Sequence, residues 1–375
     1  MSLTIVADEN MPGLEMFARL GTLRRVEGRS MTAAAVADAD ILLVRSVTKV
    51  NRFLLQGSRV QFVGTATIGI DHLDTDYLES QGIGWSNAPG SNANSVAEYV
   101  LSVLCHYYPE GLQSLHGKKA GIVGFGLVGR QVCRKLETLG FNVHAYDPLL
   151  APGSYPQLTC LERVFEADLL CIHAPLTTTG DFPSQHMIGA EQWRRLRPDA
   201  CLISAGRGGV MADSEFTALL NERPDIYVAM DVWEGEPSIN WSLAERVNIA
   251  TPHIAGYSFD GKLAGSEMIY QACLAHFDLP IVSGALSSSL EEDIDMSAVD
   301  EEQQLSMAVL AVYDVLADSD RFKSLCDAPI TQRAKLFDAQ RKHYPERREC
   351  SKYRLIGLRG DKKQREMALA LGFML

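Results

Sequence analysis

What this chain lacks argues against several broad classes of protein. Across 375 residues no apolar run approaches the ~18 residues of a membrane span. The opening MSLTIVADEN passes straight into charged residues, so no signal peptide is expected. Eight cysteines (105, 133, 160, 171, 201, 273, 326 and 350) form no CxxC pair and follow no regular spacing, which argues against a disulfide framework or a zinc ribbon. Several lie in apolar runs, as Cys171 does in LLCIHA, and read as small core residues. No HExxH or paired-acid pattern suggests a metal. Positive charge is short as well: 35 Lys and Arg stand against 47 Asp and Glu, a formal net charge of −12. Bulk attraction to nucleic acid or to an anionic membrane is therefore not expected, and a phosphorylated ligand would need a local basic pocket. What remains is an ordinary globular composition, 46% hydrophobic and 22% charged, expected in the cytoplasm. The length suits two or three domains, each able to bury its own core.

The most informative stretch is AGIVGFGLVGR at 120–130, an apolar run that ends in Gly124-Phe125-Gly126-Leu127-Val128-Gly129. A helix-like pattern, CRKLETLG, follows it, and a second apolar run, FNVHAYD, ends on Asp147. Strand, glycine turn, helix, strand and acid is the layout of a dinucleotide site. Gly124 allows the tight turn, Gly126 lets backbone amides approach a pyrophosphate, and Gly129 lets the helix pack close to the strand. The helix N-terminus stabilises the phosphate charge. Asp147 would accept hydrogen bonds from ribose hydroxyls and repel a 2′-phosphate, favouring NAD over NADP. Glycine turns also serve packing alone; the flanking strands and the placement of the acid make the cofactor reading specific.

Short apolar runs recur beyond Asp147, at 167–176, 200–209, 226–237 and 247–256, as expected of parallel strands covered on both faces. The first 90 residues repeat the alternation without a dinucleotide fingerprint: LTIVAD, ILLVRS, QFVGTAT and IGWSNAP read as strands, and MPGLEMFARLG as a helix. A long helix is expected from Asn92 to about Tyr108, and another from Gly261 to Leu279. The Ser-rich, acidic stretch around 280–300 reads as a linker. Residues 301–375 carry two amphipathic patterns and a basic patch of Arg341, Lys342, Arg347, Arg348, Lys352 and Arg354.

Polar residues gather at the expected carboxyl ends of the later strands, where open α/β sheets bind ligands. Arg207, in ISAGRGG, can clamp a carboxylate or carbonyl through two parallel hydrogen bonds. His253, in TPHIAG, titrates near neutrality and could take a hydroxyl proton as hydride leaves. Glu236, in EGEP, could fix the imidazole tautomer and raise its pKa. Taken singly, each has a plain reading: a solvated charge, a turn residue, a polar turn. Their joint placement after successive strands is what points to chemistry. His72 and His173 also fall near the expected site, where either could simply bond a backbone group.

GFGLVG with Asp147, PLT at 175–177, SAGRGG, DVWEGEP and TPHIAG together resemble the D-2-hydroxyacid dehydrogenase family. The resemblance implies an α/β fold with two doubly wound parallel-sheet (Rossmann-like) domains and a cleft between them. It implies Arg207 as the substrate-binding arginine, Glu236 as the orienting glutamate and His253 as the general acid/base. Asp231, Gly256 and Ala174 carry over as cofactor contacts beside the glycine turn and Asp147. Further segments (ADENMP, VRSVTKVN, FVGTATIGIDHLD, NAPGSNANSVAEYV, HIAGYSFDGK) are similar to a branch of the family that acts on a small phosphorylated hydroxy acid. That branch implies Ser46, Thr67 and Tyr257 as substrate contacts, Arg45 as a further ligand for carboxylate or phosphate, and a C-terminal α+β dimerisation domain. The implied division is 1–92 with 258–280 as substrate-binding lid, 93–257 as NAD domain, and 281–375 as a domain that makes a homodimer. Arg347 or Arg348 would then reach the partner's site to meet the phosphate. The loop TTTGDFPSQHMIG is longer than the usual family connection after PLT. Two alternatives stay open at this level. One is a phosphoglycerate-type dehydrogenase, although residues 301–375 lack an evident βαββαβ regulatory pattern. The other is an NAD-sensing scaffold of the corepressor kind.

Overall fold

A computed structural model describes residues 3–280 and 292–375. The described chain forms two compact units: residues up to Asn92 with those from Ser258 onward, and Ala93–Tyr257 with the C-terminal residues.

In the first unit five parallel strands lie in the order β2-β1-β3-β4-β5. They are β1 (Leu3–Asp8), β2 (Gly21–Val26), β3 (Ile41–Val44), β4 (Phe62–Thr65) and β5 (Gly84–Ser86). The central strands β3 and β4 are buried at every position, as a sheet covered on both faces requires. The helix Phe259–His276 packs on this unit through Ile269, Tyr270, Cys273 and Leu274. Sequence reading passed over β2, whose GTLRRV is a half-buried edge strand with two arginines and no fully buried position. The helix expected in MPGLEMFARLG shrinks to one turn, Leu14–Phe17, because Gly13 at its start is left-handed (φ 74°) and supplies no side-chain cap.

The second unit holds six parallel strands in the order β11-β10-β9-β8-β6-β7. These are β6 (Lys119–Val123), β7 (Asn142–Tyr146), β8 (Leu169–Ile172), β9 (Cys201–Ser204), β10 (Tyr227–Met230) and β11 (Ile249–Ala250). A single bridge from Ala145 to Leu158 adds one residue's width of strand outside β7. The chain reverses its direction of travel between β6 and β8, and ligands bind at such switch points. The helix Ala93–Tyr107 is buried along most of its length, and one side of it carries the polar residues Asn94, Ser95, Glu98, Ser102 and His106. Its buried Ser102 donates to Tyr313 O (2.8 Å) and accepts from Val315 N (3.0 Å).

Those contacts come from the C-terminal segment, which groups with this same unit. It contributes β12 (Glu292–Asp295), β13 (Tyr353–Ile356) and the helices Gln304–Val312, Val315–Lys323, Ile330–Lys342 and Lys362–Leu371. The expected linker around 280–300 falls partly outside the described residues, and its described end is strand β12, paired in parallel with β13. An acidic, exposed EDID gives no apolar alternation by which to recognise a strand. Lys135 on the helix Leu127–Thr138 is buried and donates to Leu371 O (2.7 Å), a further tie between segment and sheet. Among the described residues no helix is long and apolar enough to cross a membrane.

Candidate active site

The glycine turn after β6 has the geometry a dinucleotide needs. Gly124 is left-handed (φ 88°), and a Cβ there would lie 2.6 Å from Ala174 N, across the switch point just past β8. A Cβ on Gly129 would come within 2.1 Å of Gly124 O, so the helix approaches the turn as closely as the backbone permits. At Gly126, the N-cap of Leu127–Thr138, an added Cβ would meet no protein atom within 4 Å. The two outer glycines are therefore required by the protein's own packing, while the middle one faces open space where a pyrophosphate can come close. Asp147, just past β7, accepts from Phe125 N (2.9 Å) and Leu149 N (3.1 Å), which fixes its carboxylate beside the turn. Leu127 is exposed and Val128 half-buried at the first turn of the helix. The long loop after PLT closes on itself: Thr177 N donates to Ser184 Oγ (2.8 Å), and Ser184 N donates to Thr177 Oγ1 (3.0 Å).

Arg207, Glu236 and His253 follow β9, β10 and β11, three neighbouring strands. Arg207 sits between two glycines that let its loop touch both neighbours. A Cβ on Gly206 would strike Ala174 O (2.7 Å), and one on Gly208 would strike Trp233 O (1.8 Å). Glu236 Oε1 accepts from Trp233 N (2.9 Å), and Oε2 faces His253 Nδ1 at 2.8 Å. A carboxylate only accepts, so Nδ1 carries the hydrogen and Nε2 is left to take or give a proton. Burial pushes the Glu236 pKa up, but the nearby His253 and the bonds from His253 and Trp233 outweigh it and leave the pKa below the ordinary value. Glu236 is thus ionised at neutral pH, as stabilising an imidazolium requires.

Asp231 has a role the sequence did not reveal. Its side chain is 1% exposed and holds the loop that carries His253. Oδ1 accepts from Thr251 Oγ1 (2.7 Å) and Ile254 N (2.7 Å), and Oδ2 accepts from Ala255 N (2.9 Å). His253 N also donates to Asp231 O (2.7 Å). This bracing holds His253 at φ 58°, a left-handed conformation that costs a non-glycine residue about 1–3 kcal/mol. Tyr257 follows Gly256 and donates its N–H to Ile254 O (2.7 Å).

The C-terminal segment meets the same loop. Arg347 donates to Ala255 O (3.1 Å) and Ser95 O (2.6 Å), lies 3.7 Å from the Tyr313 ring centroid and is 5% exposed. The expectation that Arg347 reaches a partner's site is corrected: its guanidinium is sealed inside its own chain. Arg341 stands over Tyr257, with Cζ 5.9 Å from the ring centroid, and Tyr344 packs its edge against the same ring at 5.7 Å. Sequence pattern placed Asp231 at the site but not its bracing of the His253 loop, and it left Arg341 inside an undivided basic patch, since packing defines both roles.

Ser46, Thr67 and Arg45 form a second set in the first unit, after β3 and β4. Ser46 is exposed and Thr67 half-buried. Thr67 Oγ1 donates to Gly69 O (2.9 Å), so it accepts from Thr65 Oγ1 (2.8 Å), and Thr65 in turn accepts from His72 Nε2 (2.8 Å). Burial lowers the His72 pKa to about 4, which keeps this relay neutral. Arg45, expected as a further ligand for carboxylate or phosphate, is paired with buried Asp8 through Nε (3.0 Å) and Nη2 (3.2 Å).

Comparison with known proteins agrees with this geometry. Residues 106–255 match the family described as D-isomer specific 2-hydroxyacid dehydrogenase, NAD binding domain, and residues 286–372 match a domain of unknown function (DUF3410). The fold is similar to that of an NAD+-bound 3-phosphoglycerate dehydrogenase from Entamoeba histolytica: TM-score 0.63, 21% identity, covering 77% of this chain and 99% of that one. Two curated relatives are similar along their whole length. The erythronate-4-phosphate dehydrogenase of Cellvibrio japonicus is 45% identical over 99% of both chains. That of Marinobacter nauticus is 44% identical over 100% of both. The cofactor is NAD, and the chain belongs to the erythronate-4-phosphate dehydrogenase family of NAD-dependent D-2-hydroxyacid dehydrogenases.

Proposed function

We propose that this protein oxidises 4-phospho-D-erythronate at C2 to (R)-3-hydroxy-2-oxo-4-phosphooxybutanoate, a step of pyridoxal 5′-phosphate synthesis. The chemistry rests on one observation above all: the Glu236–His253 pair, at 2.8 Å, in the unit that carries the glycine turn. The substrate rests on the full-length likeness to the relatives named above.

When bound, NAD accepts the hydride from C2. His253 Nε2 takes the C2 hydroxyl proton as that C–H bond breaks, and Glu236 stabilises the imidazolium that forms. Arg207 pairs with the substrate carboxylate and the developing carbonyl oxygen, drawing electron density from C2. We assign Ser46, Thr67 and Tyr257 to substrate contact. Thr67 directs its own proton to Gly69 O, so it would accept a hydrogen bond from a substrate hydroxyl. We infer a homodimer joined through the C-terminal segment and place the reaction in the cytoplasm, a reducing compartment that suits eight unpaired cysteines.

The deciding assay follows NADH absorbance with 4-phospho-D-erythronate, D-3-phosphoglycerate and unphosphorylated D-erythronate. Stoichiometric NADH formation with phosphoerythronate alone is the expected result. Preference for 3-phosphoglycerate would move the assignment to a phosphoglycerate-type enzyme. Silence with all three substrates despite NAD binding would favour a sensor.

A further inference from the structure

Two arginines of the C-terminal segment converge on the loop that carries His253 and Tyr257, and they are bonded differently. Arg347 lies beneath the loop and is committed to the Ala255 and Ser95 carbonyls and the Tyr313 ring. Arg341, in the last turn of the helix Ile330–Lys342, lies against the Tyr257 ring and bonds the Tyr257 side chain, and its Nε, like that of Arg347, is buried without a hydrogen-bond partner. Glu236 stands within electrostatic reach of Arg341. Both Glu236 oxygens, however, already serve Trp233 N and His253 Nδ1. A guanidinium is a planar fork of five donors suited to phosphate or carboxylate, and a buried donor without a partner is costly to maintain. Burial opposes the charge on Arg341, but Tyr257 and Glu236 outweigh it and hold its pKa above the ordinary guanidinium value.

We propose that Arg341 is the anchor for the substrate's phosphate group, supplied by the same chain that carries His253. This rests on the phosphoerythronate reading above and deepens it. The C-terminal segment then does more than join subunits, because it sets the requirement for a phosphorylated substrate. The proposal also moves the phosphate contact from Arg347 or Arg348 of a partner subunit to a residue beside Tyr257 in the same chain.

The test compares NAD-loaded wild type, Arg341→Gln and Arg341→Lys on 4-phospho-D-erythronate and unphosphorylated D-erythronate, with thermal melting and cofactor fluorescence as checks on folding. Losing a charge-assisted fork should lower kcat/KM for the phosphorylated substrate on the order of 10- to 100-fold, mainly through KM. Activity on D-erythronate should hardly change, and Arg341→Lys should recover part of the loss. An equal loss on both substrates would mark a structural residue and overturn the proposal, as would no loss on either. Titration of inorganic phosphate into wild type and Arg341→Gln gives an independent reading. Weaker binding to the variant supports the anchor even if wild type rejects phosphoerythronate and only the substrate assignment fails. Equal binding to both proteins overturns it. If Arg341→Gln does not fold, Arg341→Lys carries the comparison, with a smaller loss confined to the phosphorylated substrate.

Discussion

The two parallel sheets of this chain share a winding pattern but differ at the point where it reverses. Between β6 and β8 that point is lined by backbone: Gly124 abuts Ala174, and Gly126 faces open space. Between β1 and β3 it is filled by side chains, because Asp8 is fully buried there and paired with Arg45. A carboxylate at a strand end, followed by a single-turn helix, offers a pyrophosphate neither amides nor favourable charge. The same topology therefore makes one dinucleotide site, with the difference residing in a few residues after the first strand of each sheet.

The largest effect should come from disarming the site beside the open switch point. His253→Asn is expected to cut turnover by about 10²- to 10⁴-fold while NAD still binds, read by steady-state kinetics alongside cofactor fluorescence. Retained turnover would remove His253 from the chemistry. Next comes the filled switch point. Arg45→Met leaves the buried Asp8 carboxylate without its counter-charge and should cost about 3–5 kcal/mol in chemical denaturation. Titration should still give one NAD per chain, and a second bound NAD would break the contrast between the sheets. The glycines sharpen it further. Gly129→Ala should destabilise the fold by about 1–3 kcal/mol through overpacking against Gly124 O. Gly126→Ala should leave the melting temperature unchanged and weaken only NAD binding.

A smaller effect lies where the C-terminal segment meets the helix Ala93–Tyr107. Burial and the nearby Glu349 raise the Glu98 pKa from 4.5 to about 7. The folded protein thus keeps a proton that the unfolded chain releases above pH 4.5. Glu98's contribution is whole below pH 4.5 and is lost as pH rises through about 7, at up to about 1.4 kcal/mol per pH unit. Denaturation of Glu98→Gln from pH 4.5 to 7 should lack that part of the slope, and parallel curves for variant and wild type would contradict the assignment.

Much of this was legible in sequence because local chemistry dictates it. A strand covered on both faces must be an apolar run, as ACLIS and LLCI are, and a dinucleotide turn must have glycine where backbones touch. The missed elements, β2 and β12, are charged and have no fully buried position, so nothing in their spacing marks a buried face. At the site, Arg207, Glu236 and His253 could be named because each follows an apolar run. Arg341 and Arg347 could not be told apart, since both sit in one basic patch. Only packing shows one held by two backbone carbonyls against Tyr313 and the other lying against Tyr257.

The most direct measurement is a single turnover with 4-phospho-D-erythronate deuterated at C2, followed by mass analysis of the cofactor. Hydride transfer from C2, with His253 taking the hydroxyl proton, places the deuterium on the nicotinamide ring in wild type, and His253→Asn leaves NAD unlabelled over the time of the wild-type turnover. Deuterium washed into solvent, or equal labelling in the variant, would contradict the roles given to Glu236 and His253.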